Sequence, residues 1–193
     1  MRKVQLLKIF ILISALTAFM ACSINVKKNK DGDDKKVDID TPFGGIHVSK
    51  GADVRDTGLA VYPGAHLKPK DDSDDEKSAN VNISTSAFGL RVVALDYETD
   101  DSSDKVINFY KNELRKYGNV LECHTQGRGS YTATNPDKGD SEELKCESDN
   151  NGKTIELKAG TKSNQHIVAI DPHSKGSDFA LVYVRFRGKE GTI

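Results

Sequence analysis

The chain has no apolar run long enough to cross a hydrocarbon core, which takes about 20 residues as a helix. An apolar run with no charge in it, Ile9 to Phe19, is too short for that. Bases are not in excess: 28 Lys and Arg face 29 Asp and Glu, so no nucleic-acid partner is expected. Cysteine is scarce, with three in 193 residues, and no Cys-x-x-Cys or convergent Cys/His set suggests a zinc framework. No two histidines have the i, i+4 spacing of a helical ligand pair. No serine sits in a Gly-x-Ser-x-Gly elbow. There is no internal repeat. No cofactor is expected from these residues.

The N-terminus is more informative. Arg2 and Lys3 form a short positive region ahead of the apolar run, the layout of an export signal. The run ends in Phe19-Met20-Ala21-Cys22, which resembles the lipobox of bacterial lipoproteins, with Phe19 where that family usually has Leu. The resemblance implies cleavage before Cys22, acylation of that cysteine, and a membrane partner held through its acyl chains. Two or three chains, at about 0.8 kcal/mol per buried methylene, hold a protein where one does not. Ser23 follows the cysteine, and in the family's sorting rule it favours the outer over the inner membrane.

Removing residues 1–21 takes away Arg2, Lys3 and Lys8 and no acids, so the 28 bases fall to 25 against 29 acids. What remains is enough for one hydrophobic core and short for two. The segment 22–36 is mostly charged and polar, with too little apolar surface to fold. It is expected to be a flexible, lipidated tether, and about fourteen such residues would let a domain wander on the order of 20 Å. A single globular domain is expected over 37–193.

Within that domain Val37 and Ile39 alternate with Asp38 and Asp40, and Ile46-His47-Val48 alternates again after a Pro42 to Gly45 turn, predicting a small hairpin or two short strands. Leu59 to Ala65 is predicted to be a short strand stopped by Pro63-Gly64. Val81 to Thr85 and Leu90 to Tyr97 are predicted strands, the second central. Asp101 or Ser102 should cap a helix, with Asp104 in its first turn. Val106, Ile107, Phe109, Tyr110, Leu114 and Tyr117 give that helix one apolar face, and Gly118 stops it. Five more strands follow: Val120 to Thr125, Leu144 to Ser148, Lys153 to Lys158, His166 to Ile170 and Phe179 to Arg187. Asn151-Gly152 is expected to turn a hairpin between the second and third of these. In the last strand one face looks buried and the other partly wet. The class is α+β, an antiparallel sheet with one main helix on one face.

Gly58-Leu59-Ala60-Val61-Tyr62-Pro63-Gly64-Ala65, with Val106-Ile107-Asn108-Phe109-Tyr110 and Leu114-Arg115-Lys116-Tyr117-Gly118, resembles a group of bacterial envelope proteins. They share a YPGA strand end and a strand-to-helix FY…L…G unit. The resemblance implies a fold and no activity.

Cys123 and Cys146 form an even pair in an exported chain, which favours a disulfide over two buried thiols or a metal pair. Closing that loop would contribute roughly 3 kcal/mol. The histidines His47, His66, His124, His166 and His173 read as surface or sheet residues, with His66 and His124 the candidates for any chemistry. The acidic runs Asp71 to Glu76 and Asp31 to Asp34 lack the spaced ligands of a calcium loop and read as solvated charge. Ser84, Ser86, Ser130 and Ser177 cannot be tied to a base, and Gly127-Arg128-Gly129-Ser130 opens no helix. Tyr62, Tyr97, Tyr110, Tyr117 and Tyr183 read as core or rim. Two function classes remain: a non-catalytic envelope module binding another envelope protein, and a hydrolytic or metal-dependent enzyme whose histidines and carboxylates converge on folding.

Overall fold

The computed structural model describes residues 23–28, 35–49, 51–68, 78–126, 142–146 and 151–188. The signal segment with Cys22, both acidic runs and the Gly127 to Ser130 patch lie outside the described residues. The strands are β1 (Ser23–Lys28), β2 (Lys35–Thr41), β3 (Gly44–Ser49), β4 (His66–Leu67), β5 (Ser78–Thr85), β6 (Phe88–Thr99), β7 (Leu121–Thr125), β8 (Thr154–Thr161), β9 (Asn164–Pro172) and β10 (Ser177–Gly188). They form one antiparallel sheet in the order β1-β2-β3-β5-β6-β10-β9-β8-β7, with β4 paired to β6 beyond the end of β5. Among the described residues one α-helix, α1 (Ser103–Leu114), continues into a 3-10 turn at Arg115–Tyr117 and stops at Gly118. The chain is therefore α+β, with a single main helix on one face of the sheet.

The helix forms where its apolar spacing requires. Val106, Ile107, Tyr110 and Leu114 are buried against Leu157 of β8, Val168 and Ile170 of β9, and Phe179 and Leu181 of β10. Each such side chain contributes about 1.5–3 kcal/mol on leaving water. Ser102 occupies the N-cap position without a side-chain cap bond. Asp101 instead accepts from the Tyr62 hydroxyl at 2.9 Å and pairs with Lys105 at 2.6 Å.

Three expectations need correction. Ser23–Lys28, assigned by composition to the tether, form β1 and pair with β2, in register Ile24↔Ile39 and Val26↔Val37. Averaged composition hides this two-residue alternation of β-branched positions, which favours extended pairing. Leu59 to Ala65 is not a strand. Its backbone bonds go to a side chain instead: the Tyr62 amide donates to the Tyr110 hydroxyl at 3.1 Å, and that hydroxyl donates to the Ala60 carbonyl at 3.2 Å. The Pro63-Gly64 turn does form, with the Ala65 amide donating to Tyr62 O.

The third correction concerns Asn151-Gly152, which turns no hairpin: β8 lies between β7 and β9, and Leu144–Cys146 is not strand. Gly152 serves close approach, because a Cβ there would lie 1.6 Å from the Thr125 carbonyl oxygen. As expected, one face of β10 is buried and the other partly wet, with Arg185 and Arg187 exposed; over its first half both faces are covered, Phe179, Ala180, Leu181 and Val182 being at most 5% exposed. There Phe179 and Leu181 pack in the core beneath α1, and Ala180 and Val182 pack in a second cluster on the reverse face.

Cys123 and Cys146 are disulfide-bonded with Cα atoms 5.6 Å apart. Cys123 sits in β7, whereas Cys146 belongs to the irregular segment 142–146. Glu142 of that segment accepts from the Lys162 amide at 3.1 Å through its carbonyl and from the Ser163 hydroxyl at 3.3 Å through its carboxylate. The stretch is thus fixed at both ends against the β7–β9 side of the sheet.

Candidate functional site

The first strands build a polar surface from period-two alternation. On the face shared with α1, Asp38 of β2, His47 of β3, Asn82 of β5 and Arg91 of β6 stand in one cross-strand row. A second row holds Lys36, Ser49 and Asn80. Together they line an open groove of about 430 Å³. Arg91 is held from the far side by Asp56 at 2.7 Å, which ties the groove to the 3-10 turn Val54–Thr57. Amides, a hydroxyl, two cations and a carboxylate offer donors and acceptors in roughly equal number, a surface suited to a hydrogen-bonding ligand.

His47 is the only histidine in this groove. Its Nδ1 lies 2.9 Å from Asp38 Oδ1 and its Nε2 lies 3.8 Å from Asp40 Oδ1. Nδ1 is thus hydrogen-bonded to a carboxylate, whereas Nε2 stands beyond hydrogen-bond distance of Asp40.

The other histidines are distributed over separate elements. His66, on the short β4, is exposed opposite Glu98. His124 on β7 faces Glu122 of its own strand at 3.7 Å. His173 lies 3.1 Å from Asp178, which also pairs with Lys68. Burial of Asp178 works against its ionisation, but hydrogen bonds from Lys68 and His173 outweigh that and hold its carboxyl below the usual carboxylate range. Among the described residues, no three His, Cys, Asp or Glu side chains are placed to hold a metal.

His166 is the buried one. Its ring stacks on Tyr117 at 3.5 Å between centroids, with Tyr183 at 4.9 Å on β10, and its Nδ1 lies 2.8 Å from the Thr57 carbonyl. The Tyr117 hydroxyl donates to Gly58 O at 2.5 Å. Gly58 has φ 71°, and a Cβ there would lie 2.5 Å from that hydroxyl oxygen. Burial pushes the His166 imidazole toward its neutral form, against the bond to Thr57. The cluster locks the 3-10 turn and the following YPGA segment onto the sheet.

Of the serines, Ser84 lies in β5, and buried Ser177 donates to the Asp101 carbonyl at 3.1 Å. Tyr62, Tyr97 and Tyr110 belong to the core, and Tyr117 and Tyr183 pack against it. A second depression of about 610 Å³ lies where α1 ends beside β7, and the Lys111–Glu122 pair at 2.5 Å crosses it.

The groove residues Asn80, Asn82 and Arg91 are not candidates from the sequence. Their signal is the polar half of each strand's alternation, which gains meaning only once the strand order is known. No protein-family model matches the chain, and no curated protein or solved structure matches it either.

Proposed function

We propose that the chain is a lipid-anchored envelope protein, held through acylated Cys22, whose domain is a non-catalytic binding module presenting the groove of Asp38, His47, Asn80, Asn82 and Arg91 to another envelope component. Outer-membrane placement follows from Ser23 at the position after the anchor. The single observation supporting the binding role is the cross-strand row itself: four strands contribute polar side chains to one open surface. The resemblance to envelope lipoproteins with a YPGA segment supports the address and not the ligand.

Two measurements on whole cells test this reading. Metabolic labelling with a fatty acid should mark the wild type and miss Cys22→Ala. A photo-crosslinking residue at Asn82 should give a discrete adduct, and the same residue at exposed Asn108 on α1 should not. Equal labelling of both proteins would refute the anchor, and equal adducts from both positions would refute the groove.

A further inference from the structure

The groove is one side of the N-terminal strands; their other side is apolar. Ile39, Ile46, Ile83, Leu90 and Phe186 stand in one cross-strand row, and Val37, Val48, Val81, Val92 and Val184 in the next. Over β9 and β10 this face is buried. Toward β3 it opens, and Ile46 is 38% exposed. The row of isoleucines runs close to one end of the sheet, where the β2–β3 turn places Phe43, 84% exposed. Phe88 and Phe186 meet edge to face at 5.2 Å at the same end.

Ser23 pairs with Asp40, so β1 begins at that same end, and Cys22 is the next residue back in the sequence. We propose that this end of the sheet, led by Phe43 with the isoleucine row behind it, rests in the headgroup region of the bilayer to which Cys22 is anchored. The inference rests on the anchor reading for its geometry. One or two extended residues reach only about 7 Å, so an acylated Cys22 would hold the Phe43 turn at the membrane surface. There it is effectively intramolecular with the lipid, which makes a modest apolar contact sufficient. Phe is among the side chains that proteins lying on a membrane bury at the headgroup/acyl boundary. Exposed Arg185 and Arg187 near the end of β10 suit anionic headgroups, and Asp40 is turned to the polar face beside His47. The groove would then stand at the bilayer surface, its opening to the side.

The chain contains no tryptophan, so Phe43→Trp creates a sole indole reporter. The full-length variant, purified from envelopes and reconstituted in phosphatidylethanolamine/phosphatidylglycerol vesicles, is compared with lipids brominated on their acyl chains. Mass spectrometry of its N-terminal peptide reports acylation in the same sample. We expect the indole emission of Phe43→Trp to shift to the blue and to be quenched about two-fold or more by the brominated lipid. A matching Asn108→Trp variant should stay unquenched. Solvent-like, unquenched emission from Phe43→Trp on an acylated protein overturns the inference and leaves the anchor reading intact. Quenching on an unacylated protein supports the inference and refutes the anchor. A blue shift without quenching that grows with protein density would assign the face to a second copy and overturn the lipid contact.

Discussion

Glu156 and Lys158 lie two residues apart on β8, on the face away from α1, in register with Ala169 and Ile167 of β9. Their side chains are 2% and 3% exposed, and Lys158 Nζ lies 3.1 Å from Glu156 Oε2. At an effective dielectric of about 20, the Coulomb attraction at that distance is about 5 kcal/mol. Taking both ions out of water costs several kcal/mol each, so the pair comes near to breaking even. Removing one partner does not break even. Lys158→Met leaves a carboxylate among Ile167, Ala169 and Val182 and should cost about 3–5 kcal/mol.

That is a large share of the roughly 5–15 kcal/mol that holds a domain together. With a urea slope of about 2 kcal/mol per molar, the midpoint should fall by about 1.5–2.5 M at unchanged slope. The double variant Glu156→Leu, Lys158→Met removes both charges and should recover most of the loss, to within about 1 kcal/mol of the wild type or above it. Equilibrium urea unfolding followed by far-UV circular dichroism reads all three proteins. A single variant that loses less than about 1 kcal/mol would refute the burial argument. So would a double variant as unstable as the single.

Three further outcomes follow from the same geometry. The Cys123→Ser, Cys146→Ser variant should be less stable by about 3 kcal/mol, and non-reducing mass spectrometry of the wild type should find no alkylatable thiol at either position. His166 has a folded-state pKa below its unfolded one, so its contribution is fully present above about pH 6.5 and is lost as pH falls, at no more than about 1.4 kcal/mol per pH unit. Melting temperatures between pH 8 and 5 should show that acid-side loss, and His166→Asn should flatten it. Asp178, also depressed, adds a separate loss only as pH falls below about 3.9. Gly58→Ala must place a residue at φ 71° and push the Tyr117 hydroxyl away; a loss of about 2 kcal/mol or more, near 5 °C in Tm, is expected by calorimetry.

The α+β class and most strands were legible because alternation and a 3.6-residue period are local signals. The helix was legible down to its Gly118 stop, since spacing, charge and terminator agree there. Leu59 to Ala65 misleads because an apolar run bounded by Pro-Gly resembles a strand, while Tyr110, 50 residues from Ala60, supplies its backbone partners. Asn151-Gly152 has the composition of a turn, but its glycine answers to the Thr125 carbonyl across the β7–β8 ladder. Glu156 and Lys158 alternate with Ile155, Leu157 and Ala159, a pattern that reads as a wet strand face. Nothing local reports that the face is buried. The disulfide was legible from the parity of the cysteines and the expectation of export, though Cys146 reaches β7 from an irregular segment rather than from a neighbouring strand.

The candidate groove was the least legible feature, and the reason is topological. Asp38, His47, Asn82 and Arg91 come from four strands whose order β2-β3-β5-β6 skips β4, and a one-residue slip in any pairing would send that strand's polar set to the other side. The apolar rows on the reverse face are what prevent such a slip. A shift that placed Asp38 beside Ile46 and Ile83 would set a charge on the apolar face and carry Ile39 to the polar one in one step. The two faces thus specify each other: valines and isoleucines set the register, and the register assembles the polar row. Substitutions on the apolar side, such as Ile83→Asn, should therefore disturb the groove without touching any of its residues. Exposed Asn82→Ala should leave the sheet intact, and that difference separates the architecture of this surface from its recognition chemistry.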